Sequence, residues 1–471
     1  MLTHLQLKNF KGWRDTGSVT LKPLTVLFGT NSSGKSSLEQ FFLMLRQTVE
    51  SSDRKLVLHP GDRESAVNLG SFEEMIHRRD KMAKLEFGFE WNLPIPLEVD
   101  DPKTGHTWSG NAMAFECSVG LQNGKLSQLG VDRVAYRLKQ AGKDVLSVKL
   151  DGTGGPKTEF KLSAEPYELV RVTGRPWQLG LPSRFYGFPE QVTAYYQNAD
   201  FVQDFSLALE QMLRSVCYLG PLRSRGERLY QWAGGEPESV GFTGEHSVSA
   251  MLAAKERTLN TGYRKHTRTF QKLIAEQLHQ LALIDAFEVR QISANRKEYE
   301  VKIKTPGAPD WVDLPDVGFG VSQVLPVVVQ SFYASPASIL FIEQPELHLH
   351  PNAQSNLADL FIDVLASREG GVPRGVQLII ETHSEHFLNR LQRRIAEANP
   401  AKPIKSDDVA CYFARTTGAE STLEALQMDL FGNIQNWPPN FFGDSMGDLM
   451  AMQKAAAERR AREAAATAQQ G

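Results

Sequence analysis

Short apolar runs that end in a polar turn and give way to an amphipathic stretch predict an α/β fold with a buried parallel sheet. Three observations carry this expectation. Residues 24–28 (Leu-Thr-Val-Leu-Phe) are almost wholly apolar and end at Gly29. Residues 36–49 follow, with Leu38, Phe41, Phe42 and Leu45 on one helical face. Far downstream, residues 338–342 and 376–380 are two more such runs. Between them lies a predicted helix over 353–365 with Leu357, Leu360, Phe361 and Val364 on one face.

In chain order, residues 5–8 and 19–21 read as short strands ahead of the 24–28 strand. From about 84 to 180 the grammar changes. Residues 84–91, 114–121 and 145–150 alternate, with Gly-rich turns at Asn123-Gly124 and over 152–155, which predicts an antiparallel meander. Residues 197–300 read as mainly helical, over 201–216 and 247–283, and the second stretch carries Arg264, Lys265, Arg268 and Lys272. No heptad seam persists there long enough for an extended coiled coil. The α/β pattern returns from 310, with a late strand over 409–414. Residues 452–470 are rich in Ala, Arg and Glu with little to bury, a frayed helix or a disordered tail. The expected division is 1–80 and 301–415 for the two parts of one α/β head, 81–196 for a β-rich subdomain and 197–300 for a helical arm. A C-terminal module over 416–450 and a tail over 451–471 complete it.

The 471 residues are 41% hydrophobic and 23% charged, enough to bury a sizeable core. With 52 basic and 55 acidic residues the net charge is −3, so overall charge neither demands nor excludes nucleic acid. Cys117, Cys217 and Cys411 share no metal-ligand spacing and read as reduced thiols. The first residues carry no apolar leader, and no run approaches the roughly 18 residues of a membrane span. The expectation is a soluble, cytoplasmic protein.

Gly29-Thr30-Asn31-Ser32-Ser33-Gly34-Lys35-Ser36 fits G-x-x-x-x-G-K-[ST], with a strand before it and a helix after it. Its glycines let backbone N–H groups turn inward around phosphates, and the helix start adds partial positive charge. Lys35 is placed to reach the β- and γ-phosphates of ATP, and the Ser36 hydroxyl to meet Mg²⁺; Ser37 closes the cradle. Residues 339–346, Ile-Leu-Phe-Ile-Glu343-Gln344-Pro345-Glu346, form an acidic strand end that brings Glu343 to the Mg²⁺. The third strand end holds Glu381-Thr382-His383-Ser384, where neutral His383 would sense the γ-phosphate. Asp316-Val-Gly318-Phe-Gly320-Val-Ser322-Gln323 precedes a predicted helix and makes a second anion-binding turn. One cradle already covers the phosphates, so this turn is suited to a neighbouring copy's nucleotide.

The order of these motifs resembles the RecF/SMC/OLD branch of ABC-type ATPases. So do Leu7-Lys8-Asn9-Phe10-Lys11-Gly12-Trp13, Tyr218-Leu-Gly-Pro-Leu-Arg223 and Glu343-Gln-Pro-Glu-Leu-His-Leu-His350-Pro351. The segment from Gly432 to Phe442, with Trp437-Pro438-Pro439-Asn440, is similar to the C-terminal module of a stand-alone bacterial group that includes the PtuA-type ATPases of Septu anti-phage systems. The resemblance covers about 1–80 and 215–445. It implies an ABC-type P-loop head with an antiparallel β-subdomain and an inserted helical arm for oligomerisation. Two heads would sandwich two ATP molecules, with Gly29–Ser37, Glu343 and His383 of one copy facing Gly318, Gly320 and Ser322 of the other. Lys11 would lie near the nucleotide.

Three departures qualify that resemblance. Gln344 stands where the branch places a glutamate general base, and an amide cannot take a proton from water. Either Glu346 or His383 then serves, or turnover is slow. The serine of Gly320-Val-Ser322-Gln323 is shifted from the usual signature, and residues 67–72 stand where a Q-loop glutamine is expected. Asp407-Asp408 and Asp444/Asp448 do not form a spaced acidic set, so no nuclease centre is expected in this chain. The leading expectation is therefore a regulatory ATPase in anti-phage defence that acts on a separate effector, a nuclease. The alternatives are a DNA-binding repair or tethering ATPase, using Arg223, Arg225, Arg228 and the 264–272 cations, and a non-hydrolysing nucleotide sensor.

Overall fold

The computed structural model describes residues 1–63, 65–122, 129–152, 159–174, 178–262, 264–439, 441–443 and 450–460. The expected turns at Asn123-Gly124 and 153–155, Asn440, Asp444, Asp448 and tail residues 461–470 lie outside them. Residues 450–460 form an exposed helical stretch. No described helix is long and apolar enough to cross a membrane.

A six-stranded sheet forms the head, in the order Val216–Leu219, Ile339–Glu343, Gln377–Glu381, Leu24–Gly29, Val409–Thr417, Glu420–Leu426. The first five run parallel and the last is antiparallel. The three central strands are buried along their whole length, because helices cover both faces. Their side chains alternate between two cores. Leu27, Phe341 and Ile379 face the core around the P-loop helix, Lys35–Glu50, while Val26, Phe28, Leu340, Ile342, Leu378 and Ile380 face the other. Helices Phe319–Tyr333, Pro351–Ala366 and Glu385–Glu397 supply that second core.

The expected meander is present and larger than the alternation implied. An eight-stranded antiparallel sheet runs Trp13–Asp15, Leu2–Phe10, Leu85–Asp100, Thr107–Leu121, Leu129–Gln140, Lys143–Gly152, Phe160–Glu165, with Val19–Thr20 paired to Leu2–Phe10. The N-terminal strand therefore belongs to the β-rich sheet rather than to the parallel one. Phe41 and Phe42 of the P-loop helix join the two sheets. Phe41 meets Phe87 at 5.0 Å between ring centroids, and Phe42 meets both Phe89 (5.8 Å) and Phe341 (5.5 Å).

Residues 197–300 differ from the expectation. Helix Phe201–Arg214 is present, but 247–283 is not one helical run. Helices Ser247–Ala253 and Phe270–Gln280 are separated by the short strands Thr258–Asn260 and Arg268–Thr269. Arg257 fixes the break by pairing with Glu369 through Nε (3.0 Å) and Nη2 (2.9 Å) and donating to the Tyr333 carbonyl (2.7 Å). Val248, Met251, Phe270, Ile274 and Leu278 lie in the head's second core, so these helices pack onto the head instead of projecting as an arm. Residues 286–304 are strands, Ala286–Gln291 and Glu298–Lys304, in a four-stranded sheet with Tyr230–Gln231 and Val312–Asp313.

The C-terminal module returns to the head. Phe441 and Phe442 pack on Phe28, at 5.3 and 6.0 Å, and Phe441 also meets Phe413 and Trp437, at 4.8 and 5.2 Å. Gly432, at φ +80°, sits so close that a Cβ would meet the Gln392 carbonyl oxygen at 2.5 Å. Cys117, Cys217 and Cys411 are buried and free.

Candidate functional site

The P-loop is the turn between strand Leu24–Gly29 and helix Lys35–Glu50, held from three sides. Gly29 (φ +146°) lies against the neighbouring strand, where a Cβ would meet the Ala414 carbonyl oxygen at 2.1 Å. Gly34 takes φ +92° as the N-cap, with its carbonyl accepting from Trp13 Nε1 at 3.1 Å. The Ser32 carbonyl accepts from Thr416 Oγ1 (3.3 Å) and the Thr30 carbonyl from the Ser33 N–H (3.3 Å). Thr30, Asn31 and Ser32 are exposed. Ser33 is buried, with a hydroxyl that makes no hydrogen bond among the described residues. Ser37 continues the helix, its N–H donating to the Gly34 carbonyl at 3.0 Å. Lys11 lies beside this helix and donates to Gln40.

Lys35 is buried, and its ammonium donates to the carbonyls of Gly29 (3.1 Å) and Thr30 (2.9 Å). Burial lowers its pKa, against the opposing pull of Glu381, Glu343 and Glu39. Strands Ile339–Glu343 and Gln377–Glu381 are in register, with Glu343 directly beside Glu381. Both carboxylates therefore emerge at the same sheet end as the P-loop. The Ser36 hydroxyl donates to Glu381 (2.7 Å), and the Lys35 ammonium is 3.8 Å from the same carboxylate. Glu343 accepts from the Tyr218 hydroxyl at 2.7 Å. Glu39, one helical turn beyond Lys35, completes a set in which one oxygen each of Glu39, Glu343 and Glu381 lies within 4.8 Å of the others. Burial raises the Glu381 pKa and raises that of Glu39 well above the ordinary value; for Glu39 the charges of Glu343 and Glu381 add to the effect.

The turn after Glu343 is clamped. Gln344 adopts φ +43°, and its N–H donates to the Glu381 carbonyl at 2.7 Å. Buried Arg223 donates through Nη2 to the Glu343 carbonyl at 2.7 Å, and burial pushes its pKa down to about 10. This removes Arg223 from the expected DNA contacts. Arg228 is engaged with Asp316 at 2.9 and 2.7 Å, and Arg225 lies over the Phe319 ring at 5.5 Å. Lys265 pairs with Asp363 (3.5 Å) and Arg268 with Glu276 (2.6 Å). Glu346 is buried and accepts from the His383 N–H at 2.7 Å, while its other oxygen has no partner among the described residues. Burial raises the Glu346 pKa; the His383 side chain reaches solvent, yet partial desolvation of its ring, with a smaller push from Lys35, lowers its pKa.

The structure thus brings Lys35, Ser36, Glu343, Glu346, Gln344 and His383 to one sheet end. Gly318, Gly320 and Ser322 lie at the start of helix Phe319–Tyr333, which packs against the turn after Glu343. There Gly318 caps without a side-chain bond, and Gly320 lies against the His348 carbonyl, which a Cβ would meet at 3.1 Å. The Ser322 hydroxyl donates to its own helix, to the Phe319 carbonyl at 3.0 Å.

Sequence reasoning left Glu39, Glu381, Tyr218 and Arg223 out of the site. The signal for Glu39 was an acid four residues after Lys35, flanked by the apolar residues Leu38, Phe41 and Phe42. For Glu381 it was the repeated Ile-Glu at the ends of two neighbouring strands.

Residues 251–388 match the family model described as AAA ATPase domain, which takes in helix Phe319–Tyr333, Glu343 and His383 and begins well after the P-loop. Residues 404–452 match a model described as a protein of unknown function. No curated protein matches. Among solved structures, an SmcHead bound to the C-winged helix domain of ScpA is 10% identical, over 91% of this chain and 98% of that one, with a TM-score of 0.43. The SMC head domain from Thermotoga maritima is 11% identical, over 90% and 99%, with a TM-score of 0.36. A five-stranded parallel core with the P-loop strand inside it, a helix on the P-loop and an antiparallel sheet over that helix make this chain an α/β protein, similar over residues 251–388 to an AAA ATPase domain.

Proposed function

We propose that this chain binds ATP with Mg²⁺ at Gly29–Ser37 and turns it over slowly, and that ATP closes two copies of the head around the nucleotide. The observation that carries this reading is the convergence of Lys35, Ser36 and Glu343 at the end of the parallel sheet. Lys35 would exchange its bonds to the Gly29 and Thr30 carbonyls for phosphate oxygens, and Ser36 and Glu343 would hold Mg²⁺. The helix start at Gly318, which has no side-chain cap, is available to the neighbouring copy's phosphates. Gln344 leaves Glu346 as the base: it is buried, raised in pKa by that burial, and has one free oxygen.

Within this reading the closed pair regulates a separate effector, a nuclease in anti-phage defence, as the motif resemblance implies. Gln344 also favours a second reading, a nucleotide sensor that does not hydrolyse. Binding of labelled ATP with and without Mg²⁺, together with particle mass, tests the proposal. Wild type should bind and double in mass with ATP, and Lys35→Ala should do neither. Wild type without affinity for adenine nucleotides would end it. Phosphate release lost in Glu346→Gln separates slow turnover from the sensor reading.

A further inference from the structure

Glu39, Glu343 and Glu381 exceed what a nucleotide's Mg²⁺ needs from the protein. Such an ion takes one or two carboxylates and completes its shell with phosphate oxygens and water. Here three carboxyl groups meet below the P-loop, and among the described residues the Lys35 ammonium, 3.8 Å from Glu381, is the cation paired with them, so the set can hold its full negative charge only with a further cation present. Glu39 is completely buried, and neither of its oxygens accepts a hydrogen bond from a donor group among the described residues; its side-chain contact there is the Glu343 carboxyl. A buried carboxylate with no partner calls for one. It is aimed at the other two acids, with the Ser36 hydroxyl already against Glu381 at 2.7 Å.

The spacing suits an ion. Two oxygens on opposite sides of a hard divalent cation are about 4.2–4.8 Å apart for metal–oxygen distances of about 2.1–2.4 Å. The three acidic oxygens lie within 4.8 Å of one another. An all-oxygen set of three carboxylates and one hydroxyl selects Mg²⁺, Mn²⁺ or Ca²⁺ over softer metals.

We propose that Glu39, Glu343 and Glu381, with Ser36, form a protein-only site that takes a hard divalent cation before any nucleotide arrives. The cation offsets the charge of the ionised set, whose protons leave to solvent as it binds, and gives Glu39 a ligand of its own. ATP then docks onto a site whose metal is already in place. The inference rests on the proposed nucleotide site and adds an order of events to it.

The test is Mn²⁺ binding to the full chain freed of nucleotide, followed by the electron paramagnetic resonance of unbound Mn²⁺ and by calorimetry. Wild type should hold one ion per chain. Glu39→Gln should weaken it by about tenfold or more, since even partners outside a metal's own ligand shell are worth about 10–100-fold. Glu381→Gln should do the same and stands in if Glu39→Gln does not fold, as thermal unfolding would reveal. Lys35→Ala should keep or tighten Mn²⁺ while losing ATP, because it removes an ammonium 3.8 Å from Glu381. No Mn²⁺ bound without ATP, or binding undiminished in both glutamine variants, overturns the proposal. Wild type that binds Mn²⁺ but never ATP overturns the proposed function instead.

Discussion

Asp359 and Glu39 are both carboxylates on helices that cover the parallel sheet, one on each face, and their surroundings are opposite. Asp359 accepts from Arg390 (2.6 Å) and, through both its oxygens, from Arg394 (2.5 and 2.9 Å). Burial works to raise its pKa, but the Arg394 hydrogen bonds and the charges of Arg394, Lys402 and Arg390 outweigh it and hold the carboxyl below its ordinary value. Glu39 has two more carboxyl groups for company and accepts no hydrogen bond from a donor group among the described residues. The same head can supply two guanidinium groups to an acid that acts as a strut. Where it leaves an acid short of partners, beside a phosphate cradle, the shortage marks a place for a ligand.

The comparison breaks first, and most visibly, at Glu346, the other under-partnered acid of the sheet end. Glu346→Gln should slow single-turnover phosphate release by about 10²–10⁴-fold while ATP binding stays within about twofold, as expected for a lost general base. At the strut, Asp359→Ala should cost roughly 2–4 kcal/mol in urea unfolding. That lies toward the range for breaking a buried ion pair, trimmed because Arg390 and Arg394 keep 19% and 17% of their side chains exposed. Lys35→Ala should lower ATP affinity by about 10–150-fold, the equivalent of roughly 1.5–3 kcal/mol for a hydrogen bond to a charged group, with little change in fold. The smallest effect is on pH. In protein free of metal and nucleotide, folded Glu39 and Glu381 keep protons that the unfolded chain has released, because burial raises both pKa values. Stability is therefore full below the ordinary carboxylate pKa and falls as pH rises toward the raised values. Glu39→Gln should flatten that fall, as measured by thermal unfolding across the same pH range. Asp359→Asn should show the reverse sign, since its wild-type carboxylate adds stability above the ordinary pKa and loses it as pH falls.

What the sequence made legible was local. The P-loop, the Glu343 strand end and the His383 strand end are each written in a run of fewer than ten residues whose chemistry depends on spacing alone. Glu39 and Glu381 became visible only when register was known, because two strand ends more than thirty residues apart had to be laid side by side. The strand Leu129–Gln140 escaped notice because a bulge against Ser118/Val119 breaks its period of two. In Glu298–Lys304 the alternation of Tyr299, Val301 and Ile303 was present, but Glu and Lys at the intervening positions also suit a helix. The 247–283 stretch carries helix-like spacing at both ends, and its interruption depends on Arg257 reaching Glu369, a contact across more than a hundred residues.

Phe28 is one residue from Gly29, and the rings that cover it come from the far end of the described chain. The strand that carries the phosphate cradle is therefore stoppered by the Phe441 and Phe442 rings. Removing the Phe441 ring would wet Phe28 and loosen the carbonyl at Gly29 that tethers Lys35. A change at Phe441 should therefore be felt first at Gly29, one residue along the strand from the ring that Phe441 covers.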